Sequence, residues 1–216
     1  MQHSKPLLSW LLLFAAATIS ARSIPTINAD RASEAAREQV MWHGSLCTLS
    51  TMAQDFLQNV YGKSTYQGLS PVQVVYGWAL RPDAWKEEPM ILIPDEDLRR
   101  QLAIEGEYAK FSQLFDDTLG YRLNQIGTNL PAHMQKLVRE SASVVELDEK
   151  VGLIILLTQG RLIQPRPDSI PPMGKLRIEA EIFYNEQPYI LLLLLTLSVA
   201  IIIFALFSPK KHETGR

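Results

Sequence analysis

The sequence predicts a mainly α-helical domain with at most a short pair of β-strands, exported from the cytoplasm and followed by one C-terminal transmembrane helix. Three observations predict this. Tyr189–Phe207, YILLLLLTLSVAIIIFALF, is a run of nineteen residues without a charge. At helical rise it would extend roughly 28 Å, close to the hydrocarbon thickness of a bilayer. A second apolar block, Leu7–Ala21, follows Lys5 and has the length of a secretory signal's apolar core rather than of a membrane span. Between these blocks, apolar residues recur mostly at helical spacing.

The two blocks set the expected topology. Residues 1–21 read as a cleaved signal peptide or an uncleaved N-terminal anchor, 22–164 as the exported helical domain and 165–187 as a proline-rich linker with a juxtamembrane helix. Residues 188–208 then form the span and 209–216 a cytoplasmic tail. Lys210 and Lys211 beyond the span, with Tyr189 at its entry, orient it by the positive-inside rule. The expected location is the bacterial inner (plasma) membrane, with the main domain in the periplasm. Residues 22–187 carry 17 Lys+Arg against 22 Asp+Glu. That acidic balance argues against nucleic acid as a partner.

Within the domain, residues 22–39 read as a polar leader. Leu49, Met52, Ala53, Phe56, Leu57 and Val60 form one helical stripe, which Gly62 stops. After the loop KSTYQG, Ser70 and Gln73 make a capping box with Pro71 at the first helical position, and Leu69 and Val74 are placed for a hydrophobic staple. This second helix must end near Arg81, because Pro82 follows. The run EPMILIP at 88–94 reads as a strand. Asp95 caps a helix that runs to Gly106, and EYAKFSQLFDDTL continues a helical pattern to about Gly120. Residues 132–159 form the longest helical pattern, with a bend expected between Glu146 and Lys150. QPRPDSIPP then breaks helix, and KLRIEAEIFYNEQP resumes it.

The sequence carries no common catalytic motif. His43 and His133 lie ninety residues apart, with no H-E-x-x-H or C-x-x-C spacing around them. Each reads as an ordinary histidine or, less simply, as a metal or haem ligand. Cys47 is the single cysteine, so it cannot staple its own domain; it reads as a small buried hydrophobe or as a redox thiol. No G-x-S-x-G elbow and no glycine-rich phosphate loop occurs, and no enzymatic activity is expected. What stands out is a concentration of aromatics: Tyr61, Tyr66, Tyr76, Trp78 and Trp85. They either fill the core where two helices meet or anchor a partner protein.

The run CTLSTMAQDFLQNVYGKSTYQGLSPVQVVYGW with AWKEEPMILI, and further on LDEKVGLIILLTQG and EAEIFYN, resembles the outer segment of Bacteroidetes-type system II cytochrome c biogenesis proteins (CcsA/ResB-related). The resemblance covers roughly residues 40 to 207. It marks Tyr61, Lys63, Tyr66, Trp78 and Trp85 as family signature positions and candidate partner contacts. It implies a part in attaching haem to exported apocytochromes. The tryptophan-rich haem-handling segment and multi-helix bundle of that family have no counterpart in these residues. The resemblance therefore implies that this chain binds no cofactor and that haem is handled by a partner. The partners it implies are a multi-span cytochrome c assembly membrane protein and an apocytochrome c. The expected function is a membrane-tethered accessory subunit of cytochrome c assembly acting by protein contacts. The alternative is a membrane-anchored periplasmic scaffold unrelated to cytochrome maturation.

Overall fold

The computed structural model describes residues 24–207. The signal or anchor segment 1–21 and the tail 209–216 of the sequence reading lie outside the described residues.

The expected polar leader instead contains a helix, α1 (Ala29–Ala35). Asn28 caps it by accepting from the Arg31 amide, and Ala32 and Ala35 turn into the core. A tight hairpin follows: β1 (Gln39–Trp42) and β2 (Ser45–Thr48) pair antiparallel with Val40 opposite Cys47. His43 and Gly44 form its two-residue turn with φ of 48° and 76°, the positive angles such a hairpin turn requires.

Helix α2 (Leu49–Tyr61) forms as its stripe predicts. Thr48 caps it, Gly62 ends it in the left-handed region, and Leu49, Met52, Ala53, Phe56, Leu57 and Val60 are fully buried. Helix α3 (Pro71–Leu80) packs against α2 and begins with both halves of the Ser70–Gln73 capping box in place. A single turn, α4 (Pro82–Trp85), follows at once. Strand β3 (Pro89–Leu92) occupies the run predicted to be extended.

From here the structure corrects the expected fold class. Helix α5 (Glu96–Gln101) ends short of Gly106, because Ala103 turns to φ 51° and lets the Ile104 amide bond the Arg99 carbonyl. The segment read as a further helix to Gly120 is mostly extended. Strand β4 (Tyr108–Lys110) pairs antiparallel with β3. A 3₁₀ turn over Phe111–Leu114 leads to the small hairpin β5 (Phe115–Asp116) and β6 (Gly120–Tyr121). With β7 (Gln164–Pro165) pairing on β1, the described residues form three small antiparallel sheets, not one short strand pair. The helical pattern misled because the apolar positions here serve separate short elements: Ala109 is buried on β4, opposite Ile91 of β3, while Leu114 is buried from the 3₁₀ turn.

The long pattern at 132–159 divides into α6 (Ala132–Arg139) and α7 (Ala142–Thr158). The break falls at Glu140–Ser141, not between Glu146 and Lys150. There the helix is continuous, and the Lys150 ammonium bonds Glu146 one turn back at 2.6 Å. Helix α7 packs against α2 and α3.

Helix α8 (Lys175–Glu186), read as a juxtamembrane helix, is fastened onto the domain. Its Glu181 carboxylate accepts from the Thr48 amide at 2.9 Å and the Thr51 hydroxyl at 3.1 Å. Arg37 pairs with Glu179, Asn185 donates to Thr51, and Ile182 is buried. A carboxylate at the N-terminus of α2 also meets the positive end of that helix's dipole.

The last helix, α9 (Pro188–Phe207), holds the run expected to span a membrane. Among the described residues no helix is long and apolar enough to cross a membrane. This overturns the expected single C-terminal span, and with it the inner-membrane localisation that rested on that span.

Candidate functional site

The five signature residues converge on the α2–α3 junction, at different depths. Trp78 and Trp85 are buried, with ring centroids 6.1 Å apart. Each indole N–H, which must find a partner when buried, has one: Trp78 donates to the Met90 sulfur at 3.0 Å and Trp85 to the Pro25 carbonyl at 2.9 Å. The Trp85 ring lies directly on the α3 backbone at Gly77, where any Cβ would fall within the indole. Residues 25–27 complete the packing. Thr26 donates its hydroxyl to the Gln73 carbonyl, and the Gln73 side-chain amide donates to the Ile27 carbonyl at 3.0 Å. The capping residue of α3 thereby also fixes the N-terminal segment.

Tyr66 sits one layer further out. Its ring is buried against Trp85, with centroids 5.8 Å apart, while its hydroxyl donates to Glu88 at 2.9 Å. Burial first, and then the Glu88 carboxylate, raise the phenol's pKa well above its ordinary value, so the ring is a neutral donor at any physiological pH. The loop holding it closes on itself. Tyr66 and Leu69 form an isolated β-bridge across Gln67 and Gly68, whose φ angles are 48° and 81°. This is the same two-residue turn chemistry as at His43–Gly44.

Tyr61 and Lys63 carry the junction to the surface. The Lys63 ammonium lies over two rings, 5.3 Å from the centre of Tyr61 and 5.5 Å from that of Tyr108, in cation–π range. The hydroxyl of Tyr108, foremost, and then Tyr61 favour its charged form and raise its pKa. Tyr61 in turn meets Tyr66 edge-on at 5.0 Å. The sequence reading missed Tyr108, because it placed that residue in a helix; only the β3–β4 pairing brings it beside Tyr61. It missed Lys150 too, whose ammonium is almost fully buried between Glu146 and the Leu92 carbonyl. The Glu146–Lys150 spacing of four on a helix was the available signal.

The remaining candidates for chemistry stand apart from this junction and from one another. His43 is exposed on its hairpin turn, 3.6 Å from Asp55, whose carboxylate also accepts from the Trp42 indole at 2.8 Å. His133 is exposed on α6. Cys47 is buried, and burial together with the nearby Glu181 pushes its thiol up to about 11, so it is a poor nucleophile at neutral pH. Among the described residues no three His, Cys, Asp or Glu side chains converge as a metal site.

Structure and junction together define a helix-rich mixed α/β domain whose aromatic centre opens to the surface at a tyrosine–lysine cluster. No protein-family profile matches the chain. The chain is similar to Protein NrfI of Wolinella succinogenes, at 27% identity over 148 residues. The match takes in 66% of this chain but only 16% of that protein.

Proposed function

We propose that this chain is an accessory protein of cytochrome c maturation that acts through protein contacts, with haem handled by a partner. The observation that carries the reading is the match to NrfI, added to the resemblance of roughly residues 40 to 207 to system II cytochrome c biogenesis proteins. The geometry supports contact rather than chemistry as the mode of action. The junction's polar groups are engaged in holding the fold, and its exposed tip is an aromatic–cation cluster of the kind that anchors protein partners. In this reading the partners are a multi-span assembly protein and an apocytochrome c, and the junction supplies a rigid platform for Tyr61, Lys63 and Tyr108.

Deletion of the gene followed by haem staining of c-type cytochromes tests this. Loss of stained cytochromes is expected, with restoration by the wild-type gene. Unchanged staining in a strain without a second copy would overturn the proposal. A Lys63→Glu variant is expected to accumulate normally yet fail to restore staining, because the Lys63 side chain is exposed at the surface of an otherwise intact junction.

A further inference from the structure

Helix α7 is apolar on two sides. Val144, Leu147, Val151, Ile154 and Leu157 face the core, while Leu153 is half-buried at its edge and Leu156 is exposed. These two line one wall of a groove of about 610 Å³, which Trp42 and His43 of the β1–β2 turn, Gln58 and Asn59 of α2, and Leu92 also border. Leu156 remains 36% exposed. A helix that is apolar beyond its core face presents a second face for burial.

Gly152 lies on this wall, in the middle of α7. Glycine inside a helix lowers stability relative to alanine, and nothing inside the domain calls for it here. Its φ is an ordinary helical one, and a Cβ built on it meets no atom within 4 Å. Gly77 is the contrast, since there the Trp85 ring occupies the space. Gly152 thus keeps open a notch in the groove wall where another backbone can approach closely, a role glycine often has.

The charges at the groove select the kind of occupant. The Lys150 ammonium is engaged by Glu146 and the Leu92 carbonyl, and Asp55 is held by Trp42 and faced by His43. Glu149 lines the groove with no ion-pair partner among the described residues. An apolar groove edged by an uncompensated carboxylate complements an apolar segment that carries a basic group.

We propose that this groove is the docking site for a basic, apolar peptide segment of a partner protein. Leucine-like side chains pack between Leu153, Leu156 and Trp42, the segment's backbone passes over Gly152, and a lysine or arginine meets Glu149. This deepens the contact role proposed above, and rests on that reading for which protein supplies the segment.

The test uses the purified full chain and two fluorescein-labelled synthetic peptides, one of leucine and lysine and the other with glutamate replacing each lysine. Binding is followed by anisotropy at low salt. The lysine peptide is expected to bind, and the glutamate peptide to bind at least about tenfold more weakly. Gly152→Leu should weaken the lysine peptide at least about tenfold while leaving the melting temperature unchanged or higher, since leucine is the better helix former and its Cβ has no atom within 4 Å. Glu149→Gln should narrow the preference for the lysine peptide. Equal affinity for both peptides, or binding that survives Gly152→Leu, overturns the inference. Haem staining separates it from the proposed function. A Gly152→Leu strain with lost peptide binding and normal cytochromes keeps the docking site and rejects its link to cytochrome assembly. Absent peptide binding in the wild type, with cytochromes lost on deletion, rejects the docking site alone.

Discussion

The Tyr61–Trp85 junction and the Glu107–Pro131 stretch differ in where their shape comes from. In the junction each change of direction is fixed by residues next to it: Gly62 ends α2, Gln67 and Gly68 close the loop, and Ser70 with Gln73 starts α3. The aromatic rings then lock an arrangement that the backbone already favours. In the second stretch, the extended form of Tyr108–Lys110 exists because β3 lies beside it, and Leu114, Leu123 and Ile126 are buried between short elements. The two regions meet through Trp78 and Phe111, whose rings lie 5.7 Å apart. A chain can thus hold a centre specified locally beside a periphery whose shape depends on its contacts with that centre.

The comparison is broken most directly at Gly77. Gly77→Ala places a methyl group where the Trp85 ring lies. Because the indole is buried and tied to Pro25, it cannot swing aside without losing that bond. Overpacking of this kind costs about 3 kcal/mol, which for a domain of this size lowers the melting temperature by about 6–12 °C. Calorimetry or thermal circular dichroism measures it. A loss as small as that of a surface variant would mean that the junction is not the rigid centre of the fold.

The cap comes next. Ser70→Ala removes the side chain that accepts from the Gln73 amide, and with it half of the capping box. A loss of about 1 kcal/mol is expected, seen as a fall of about 2–4 °C in the melting temperature. Gln73→Ala sharpens the point. The Gln73 side chain also donates to Ile27, so its loss should loosen residues 25–27 as well as α3, which amide exchange in that segment would reveal.

How far each region can be read from the sequence follows from the same difference. Helix stops, caps and a stripe at 3.6-residue spacing are written within a few residues of where they act, so α2, α3 and β3 are legible, as is the burial of Cys47. The β4–β6 elements are not, because FSQLFDDTL carries helix-compatible apolar spacing and its true partners lie elsewhere in the chain. The division at Glu140–Ser141 was marked only by a serine that ends one helix and begins the next. At the candidate site the sequence identifies the aromatic cluster but not its layering. That Trp78 and Trp85 face inward while Lys63 and Tyr61 reach the surface depends on Gly77 and on Tyr108, which arrive from different elements. The apolar run after Pro188 shows the converse: its composition is plain, yet among the described residues no helix is long and apolar enough to cross a membrane.

The smallest effect is expected in the second stretch, at Asp116. Its carboxylate accepts from the Thr118 and Leu119 amides at 2.8 and 2.9 Å, closing the β5–β6 hairpin at the surface. Those two bonds, Leu119 first, hold its pKa below the ordinary carboxylate value. Their contribution is therefore fully present above the unfolded pKa and is lost as pH falls through the lower folded value. Asp116→Ala should leave the melting temperature within about 2 °C of wild type. Amide exchange at Thr118 and Leu119 should nevertheless accelerate, and wild type should approach the variant's exchange protection at these two amides on acidification. If this exposed substitution unfolded the domain as Gly77→Ala does, the hairpin would belong to the rigid centre, and the distinction between a locally specified centre and a dependent periphery would fail. The hairpin's own contacts argue otherwise. Phe115 stacks on Tyr121 at 5.1 Å and on Phe111 at 4.8 Å, so the aromatic pairs hold the strands together when the turn is loosened, and the loss stays local.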